Sequence, residues 1–163
     1  MQELLKRLYA DKGTTRAMKI GIIACVFTEI AFFFATLVLL FVFGAYMKVV
    51  VSAASAAVGY ILVSVVRRLI NSPRPYEVYD FYDVPPKDKR GQSMPSRHCY
   101  SAFVIATLCY LLHPVCAAVA LLVAAVLAVL RVLTGMHFVR DVLVGAAAGV
   151  FVGCVGIIIC NFI

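Results

Sequence analysis

LRVLTGMHFVRDVLVG, residues 130–145, sits between two long apolar runs yet carries Arg131, His137, Arg140 and Asp141. Ionisable groups at a membrane boundary cost free energy unless something uses them, so the stretch reads as a site. His137 and Asp141 are four residues apart and share a face if a helix begins there. A carboxylate beside an imidazole fixes its tautomer and stabilises its cationic form. Arg131 lies six residues before His137, across Thr134 and Gly135, where a chain reversal is easy. One arginine, one histidine and an acid backing the histidine form a set suited to attack on a phosphate.

Composition sets these groups in a membrane. Of the 163 residues, 64% are hydrophobic and 14% charged, and the mean hydropathy is +1.00. A soluble domain is about half apolar and about a quarter charged. The net charge of +7 does not mark a nucleic-acid partner, because the basic residues cluster at the ends of apolar runs. That placement fits anionic lipid headgroups. The six cysteines, Cys25, Cys99, Cys109, Cys116, Cys154 and Cys160, show no CxxC pairing and fall in apolar segments. They read as small packing residues, neither ligands nor disulfides.

The pattern predicts an all-α, integral membrane helical bundle, with residues 1–163 as one membrane-embedded domain. About five transmembrane helices are expected, plus an N-terminal interfacial helix. Residues 1–19 hold five Lys/Arg, and Leu4, Leu5 and Leu8 share a face of a short amphipathic helix on anionic lipid. The apolar run 20–43 is too long for a signal peptide and is long enough to span. Glu29 lies well inside that first span. An intramembrane acid is protonated or partnered, so it either hydrogen-bonds a neighbouring helix or meets substrate.

The second span is 47–66, with small residues for close packing, ending at Arg67-Arg68 before Pro73 and Pro75. A polar active-site loop follows over 71–95. Its Tyr76, Tyr79, Phe81 and Tyr82 suit an aromatic belt better than ligand stacking. Pro85-Pro86 and the run KDKR mark an exposed loop. The third helix starts near Pro95-Ser96, where free N–H groups favour an anion beside Arg97 and His98, and stops at His113-Pro114. It is short for a span, so its start lies below the membrane surface. His113 reads as a polar helix end. Spans over 115–133 and 138–161 complete the bundle. Gly145, Gly149 and Gly153 form a packing stripe on the last. Helix parity then brings the N-terminus, the 67–98 region and the 131–141 region to one face.

Arg67-x6-Arg74-Pro75, then Pro95-Ser96-Arg97-His98, then Arg131-x5-His137-x3-Asp141 resembles the three-part signature of the type 2 phosphatidic acid phosphatase family of membrane lipid phosphatases. The resemblance covers Arg67 to Asp141, about half the chain. The chain departs from the usual pattern in having Arg67 for lysine, Arg97 for glycine and Leu130 for serine, and in having five expected helices where six are usual.

The resemblance implies a hydrolase that removes the terminal phosphate of a lipid phosphate or diphosphate. Phosphatidic acid, phosphatidylglycerol phosphate and polyprenyl diphosphate all qualify. It implies His137 as nucleophile through a phosphohistidine, Asp141 as its orienting acid, and His98 as general acid and then base. Arg67, Arg74, Ser96, Arg97 and Arg131 would bind the phosphate. No cofactor is expected, since two histidines and one acid amid so many arginines make a poor cation site. The alternative is a catalytically silent relative that binds or moves phospholipid, which would need the arginines but not the histidines. A haloperoxidase is remote, because those are soluble proteins. The expected partners are the lipid substrate and membrane lipids, with no nucleic acid. The oligomeric state is not legible in the sequence. Fourteen of the fifteen Lys/Arg fall on the site side and only Lys48 falls opposite, so the charge rule places the site on the cytoplasmic face of the cell membrane. Bacterial relatives usually face outward.

Overall fold

A computed structural model describes residues 2–79 and 90–162. The elements are α1 (Gln2–Ala10), α2 (Lys12–Val42), α3 (Tyr46–Ile70), α4 (Pro75–Val78), α5 (Arg97–Leu108), a 3₁₀ turn (Cys109–Leu111), α6 (Pro114–Leu133) and α7 (Val139–Phe162). Among the described residues every element is helical. Among the described residues, four stretches have the length and hydropathy to cross a membrane: Lys12–Val42, Tyr46–Val78, Pro114–Leu133 and Val139–Phe162. Phe27, Phe34, Leu122 and Phe151 are exposed on them, as lipid-facing side chains would be.

The expected third span is α5, and it differs from the rest. Its 12 residues cover about 18 Å at 1.5 Å each, short of the roughly 30 Å of hydrocarbon. It is the interior helix of the bundle, packed against α2, α3, α6 and α7. Cys99, Tyr100, Ala102, Val104, Ile105, Ala106 and Leu108 are all buried along it. A short helix serves because the others shield it from lipid.

Boundaries moved where capping chemistry acts. α2 begins at Lys12, ahead of its apolar run, because the Asp11 carboxylate accepts from the backbone N–H groups of Gly13 and Thr14 at 3.1 and 2.9 Å. α3 runs on to Ile70 and stops where Asn71 turns left-handed at φ 43°. The His113 imidazole accepts from Val115 N–H at 3.2 Å and so caps α6, as a polar helix end should.

The glycine stripe of α7 lies directly on α5. A Cβ at Gly149 would stand 2.6 Å from the Tyr100 carbonyl oxygen, and one at Gly153 would stand 2.6 Å from Thr107 Cβ. The α7 backbone therefore lies directly on α5 along this seam. One polar contact closes its site end, where the Ser96 N–H donates to the Asp141 carbonyl at 2.9 Å.

The N-terminal helix, expected at a lipid surface, packs on the protein itself. Leu4 is exposed as expected, but Leu5 is fully buried against Tyr76, with Tyr9, Tyr79 and Met136 around it. The Tyr9 hydroxyl donates to the Thr134 carbonyl at 2.8 Å. Tyr76 is thus a packing residue for α1 and not part of an aromatic belt. Tyr79 sets its ring edge-on to Phe138. Phe81, Tyr82, Pro85-Pro86 and most of the KDKR run lie outside the described residues.

Gly149→Ala is expected to destabilise the protein by about 1–3 kcal/mol through overpacking, read as a lower melting temperature in detergent. Ala147→Leu, on the exposed side of the same helix, should leave the melting temperature unchanged. Equal effects of the two would show that the seam is not close-packed.

Candidate active site

Five segments deliver side chains to one place. Arg67 comes from the last turn of α3, Arg74 from the residue before α4, Ser96 and His98 from the start of α5, and Arg131 from the last turn of α6. His137 follows the turn at Gly135 (φ 56°), and Asp141 lies in the first turn of α7. The helix begins at Val139, two residues after His137, so the two are not stacked on one helical face.

Arg131 is the meeting point. Its Nη2 lies 3.2 Å from His98 Nδ1 and 3.4 Å from His137 Nε2. A guanidinium only donates, so both ring nitrogens accept. That leaves the His137 proton on Nδ1, facing Asp141. Arg67 is 5% exposed and donates from Nη1 to the Pro95 carbonyl at 3.3 Å. Arg74, equally buried, donates from Nε to the Gly91 carbonyl at 3.0 Å. Both guanidinium groups are thereby tied to the loop that precedes α5.

Asp141 is fully buried, but its Oδ2 stands 3.9 Å from His137 Nδ1, too far for a direct hydrogen bond. Ser93 fills the gap. Its hydroxyl donates to Asp141 Oδ2 and lies 3.4 Å from His137 Nδ1. The Phe138 N–H also donates to Asp141 Oδ2, at 2.9 Å. Sequence reasoning missed Ser93, because a serine two residues before a proline in a polar loop has no spacing that marks it. Tyr9, the hydroxyl donor to the turn before His137, carried no signal either.

Two expected phosphate ligands also make other contacts. The Ser96 N–H is already committed to Asp141, so the backbone groups left for an anion are those of the first turn of α5. The Arg97 guanidinium lies over the Tyr60 ring, 5.7 Å from its centre. It lines a groove with Tyr60 and His98, and its charge still acts on Arg67 together with those of Arg74 and Arg131.

The family model for the PAP2 superfamily matches residues 45–162. The chain belongs to the PAP2 superfamily. It is a multi-pass membrane protein of that phosphatase family, and the match spans α3 to α7 and every residue of the cluster above. Among solved structures, LpxE from Aquifex aeolicus is similar at 24% identity and a TM-score of 0.70, over 95% of this chain and 93% of that one. The first transmembrane PAP2 type phosphatidylglycerolphosphate phosphatase from Bacillus subtilis is similar at 20% identity and a TM-score of 0.56, over 98% of this chain and 92% of that one. At these identities the likeness is one of fold. No curated protein sequence matches the chain.

His137 lies in the α6–α7 turn, outside the spanning helices. Burial, then the positive charges of Arg131, Arg67 and Arg74, lower its pKa from 6.5 to about 2. The imidazole is therefore neutral across the working range. The unfolded chain takes up the proton below about pH 6.5 while the folded one does not. Its contribution to stability is thus complete above about 6.5 and is lost as the pH falls toward about 2, at up to about 1.4 kcal/mol per pH unit. Acidification from pH 7 to 5 should lower the melting temperature of the wild type more than that of His137→Asn. An identical decline in both would refute a neutral buried His137.

Proposed function

We propose that this protein is a metal-independent lipid phosphate phosphatase working through a phosphohistidine. One observation carries the reading: a single guanidinium, Arg131, holds one nitrogen of each of two imidazoles, on α5 and before α7. Binding an anion would need the arginines alone. A neutral His137 and a second oriented imidazole, His98, beside them are what phosphoryl transfer adds.

In the proposed sequence, the substrate phosphate takes the Arg131 donors, and Arg67 and Arg74 neutralise its other oxygens. Nε2 of His137 then attacks phosphorus. The bond to the lipid oxygen breaks, and His98, protonated, gives that oxygen its proton. The imidazole cation formed on His137 is balanced by Asp141, whose carboxylate is positioned by Ser93 and the Phe138 N–H. In the second half, neutral His98 takes a proton from water as the water oxygen attacks phosphorus. The N–P bond breaks, inorganic phosphate leaves, and His137 returns to its neutral form.

The substrate is a lipid phosphate or diphosphate, consistent with a relative whose name specifies phosphatidylglycerolphosphate. The Lys/Arg count, fourteen against one, supports a site on the cytoplasmic face. Attachment of α1 to the Thr134 turn, which keeps its basic residues on the site side, adds to that support.

Phosphate release from a panel of phosphatidic acid, phosphatidylglycerol phosphate and polyprenyl diphosphate tests the activity. His98→Ala should lose at least ~10²-fold and His137→Ala more, with the fold kept. Asp141→Asn should lose most of the rate. Near-normal release by His137→Ala refutes the mechanism. Activity should persist in excess EDTA, and loss restored by one divalent ion would show the site to be a metal centre. For sidedness, Arg90→Cys in a version lacking the six native cysteines should resist a membrane-impermeant thiol reagent on intact cells. Labelling without permeabilisation would place the site outside.

A further inference from the structure

Glu29 is 2% exposed midway along α2, and neither carboxyl oxygen has a hydrogen-bond partner among the described residues. The helix-to-helix hydrogen bond expected of it is not formed. Instead it lines a groove of about 320 Å³ with Ile30, Tyr60, Arg97, His98 and Leu127 among its neighbours. Ile30 and Tyr60 are exposed, so the groove opens toward lipid. His98 and Arg97 stand at one end of it, in the first turn of α5. The family match begins at residue 45 and does not reach Glu29.

Its depth can be read from the packing. The Thr36 hydroxyl contacts Cys109 Sγ at 3.4 Å, and α2 and α5 both run away from the site. Seven residues back along each chain from that contact, Glu29 is level with Ala102. Ala102 is four residues, about 6 Å, beyond His98. A polar group with no partner is costly in an apolar groove, where the neutral acid is the tolerated form. A neutral carboxyl has one proton to donate.

Resting on the phosphatase reading, we infer that Glu29 selects the lipid by donating a hydrogen bond to an ester carbonyl of a glycerolipid phosphate. The distances match. With the leaving oxygen at His98, the ester carbonyls of a diacylglycerol phosphate lie roughly five or six bonds further on, about 5–7 Å at ordinary bond lengths. An isoprenyl phosphate has only hydrocarbon at that depth and would leave Glu29 buried without a partner. Discrimination arises because a polar site rejects an analogue that cannot pair with it.

The test uses the full-length protein in mixed detergent micelles, with phosphatidic acid and farnesyl monophosphate as substrates. Wild type should prefer phosphatidic acid in kcat/KM by about tenfold, the worth of one hydrogen bond to a buried group. Glu29→Leu should lose about tenfold on phosphatidic acid and nothing on farnesyl monophosphate, while Glu29→Gln, still a donor, keeps the preference. Glu29→Met, nearer glutamate in length, replaces the leucine variant if that one melts early. Release from neither substrate by the wild type overturns the phosphatase reading itself. A wild-type preference for farnesyl monophosphate overturns only the role of Glu29. So does a preference unchanged in the apolar variant, or an equal loss on both substrates by a variant that melts normally.

Discussion

The close approach of α7 to α5 is the constraint on which the rest depends. Gly145, Gly149 and Gly153 remove the side chains that would hold the two backbones apart. Because the helices touch, the Asp141 carbonyl reaches the Ser96 N–H at one end of the seam. The start of α5, with His98, and the start of α7, with Asp141, are therefore held in one register. A bulkier seam would separate the two histidines even with every polar residue retained. Small residues in the apolar part of the chain thus set distances in the polar part.

Electrostatics works in the same direction. Several buried arginines around an anion site repel one another when it is empty, and the protein answers with acceptors. Pro95 and Gly91 carbonyls take Arg67 and Arg74, and imidazole nitrogens take Arg131. Burial first, and then the same positive field, keep the His137 ring unprotonated. The arginines that would gather a phosphate thus add to the burial that holds this histidine neutral.

Much of this was legible in the residues. The apolar runs announced the helices, and the glycines at every fourth position announced the seam. The positions of Arg67, Arg74, Arg131, His98, His137 and Asp141 brought three distant segments to one face by helix parity alone. Legibility ended where contacts are tertiary. Asp11 extended α2 because a cap acts on its own turn, not on an apolar count. Arg97 also lies over the Tyr60 ring, a contact that no spacing announces. Ser93 entered the site only because the loop folds back, with its N–H on the Ser72 carbonyl at 2.9 Å. Glu29 was visible as an anomaly, but only the packing around it shows that no helix among the described residues satisfies it.

The tie between α1 and the turn before His137 has a mechanical consequence. Leu4 and the basic side chains of Lys6 and Arg7 are exposed, while Leu5 and Tyr9 grip the protein. One short helix therefore carries exposed charge on one side and grips the Thr134 carbonyl on the other. Any displacement of α1 is passed through the Tyr9 hydroxyl to the turn that carries His137, so the two are mechanically one piece.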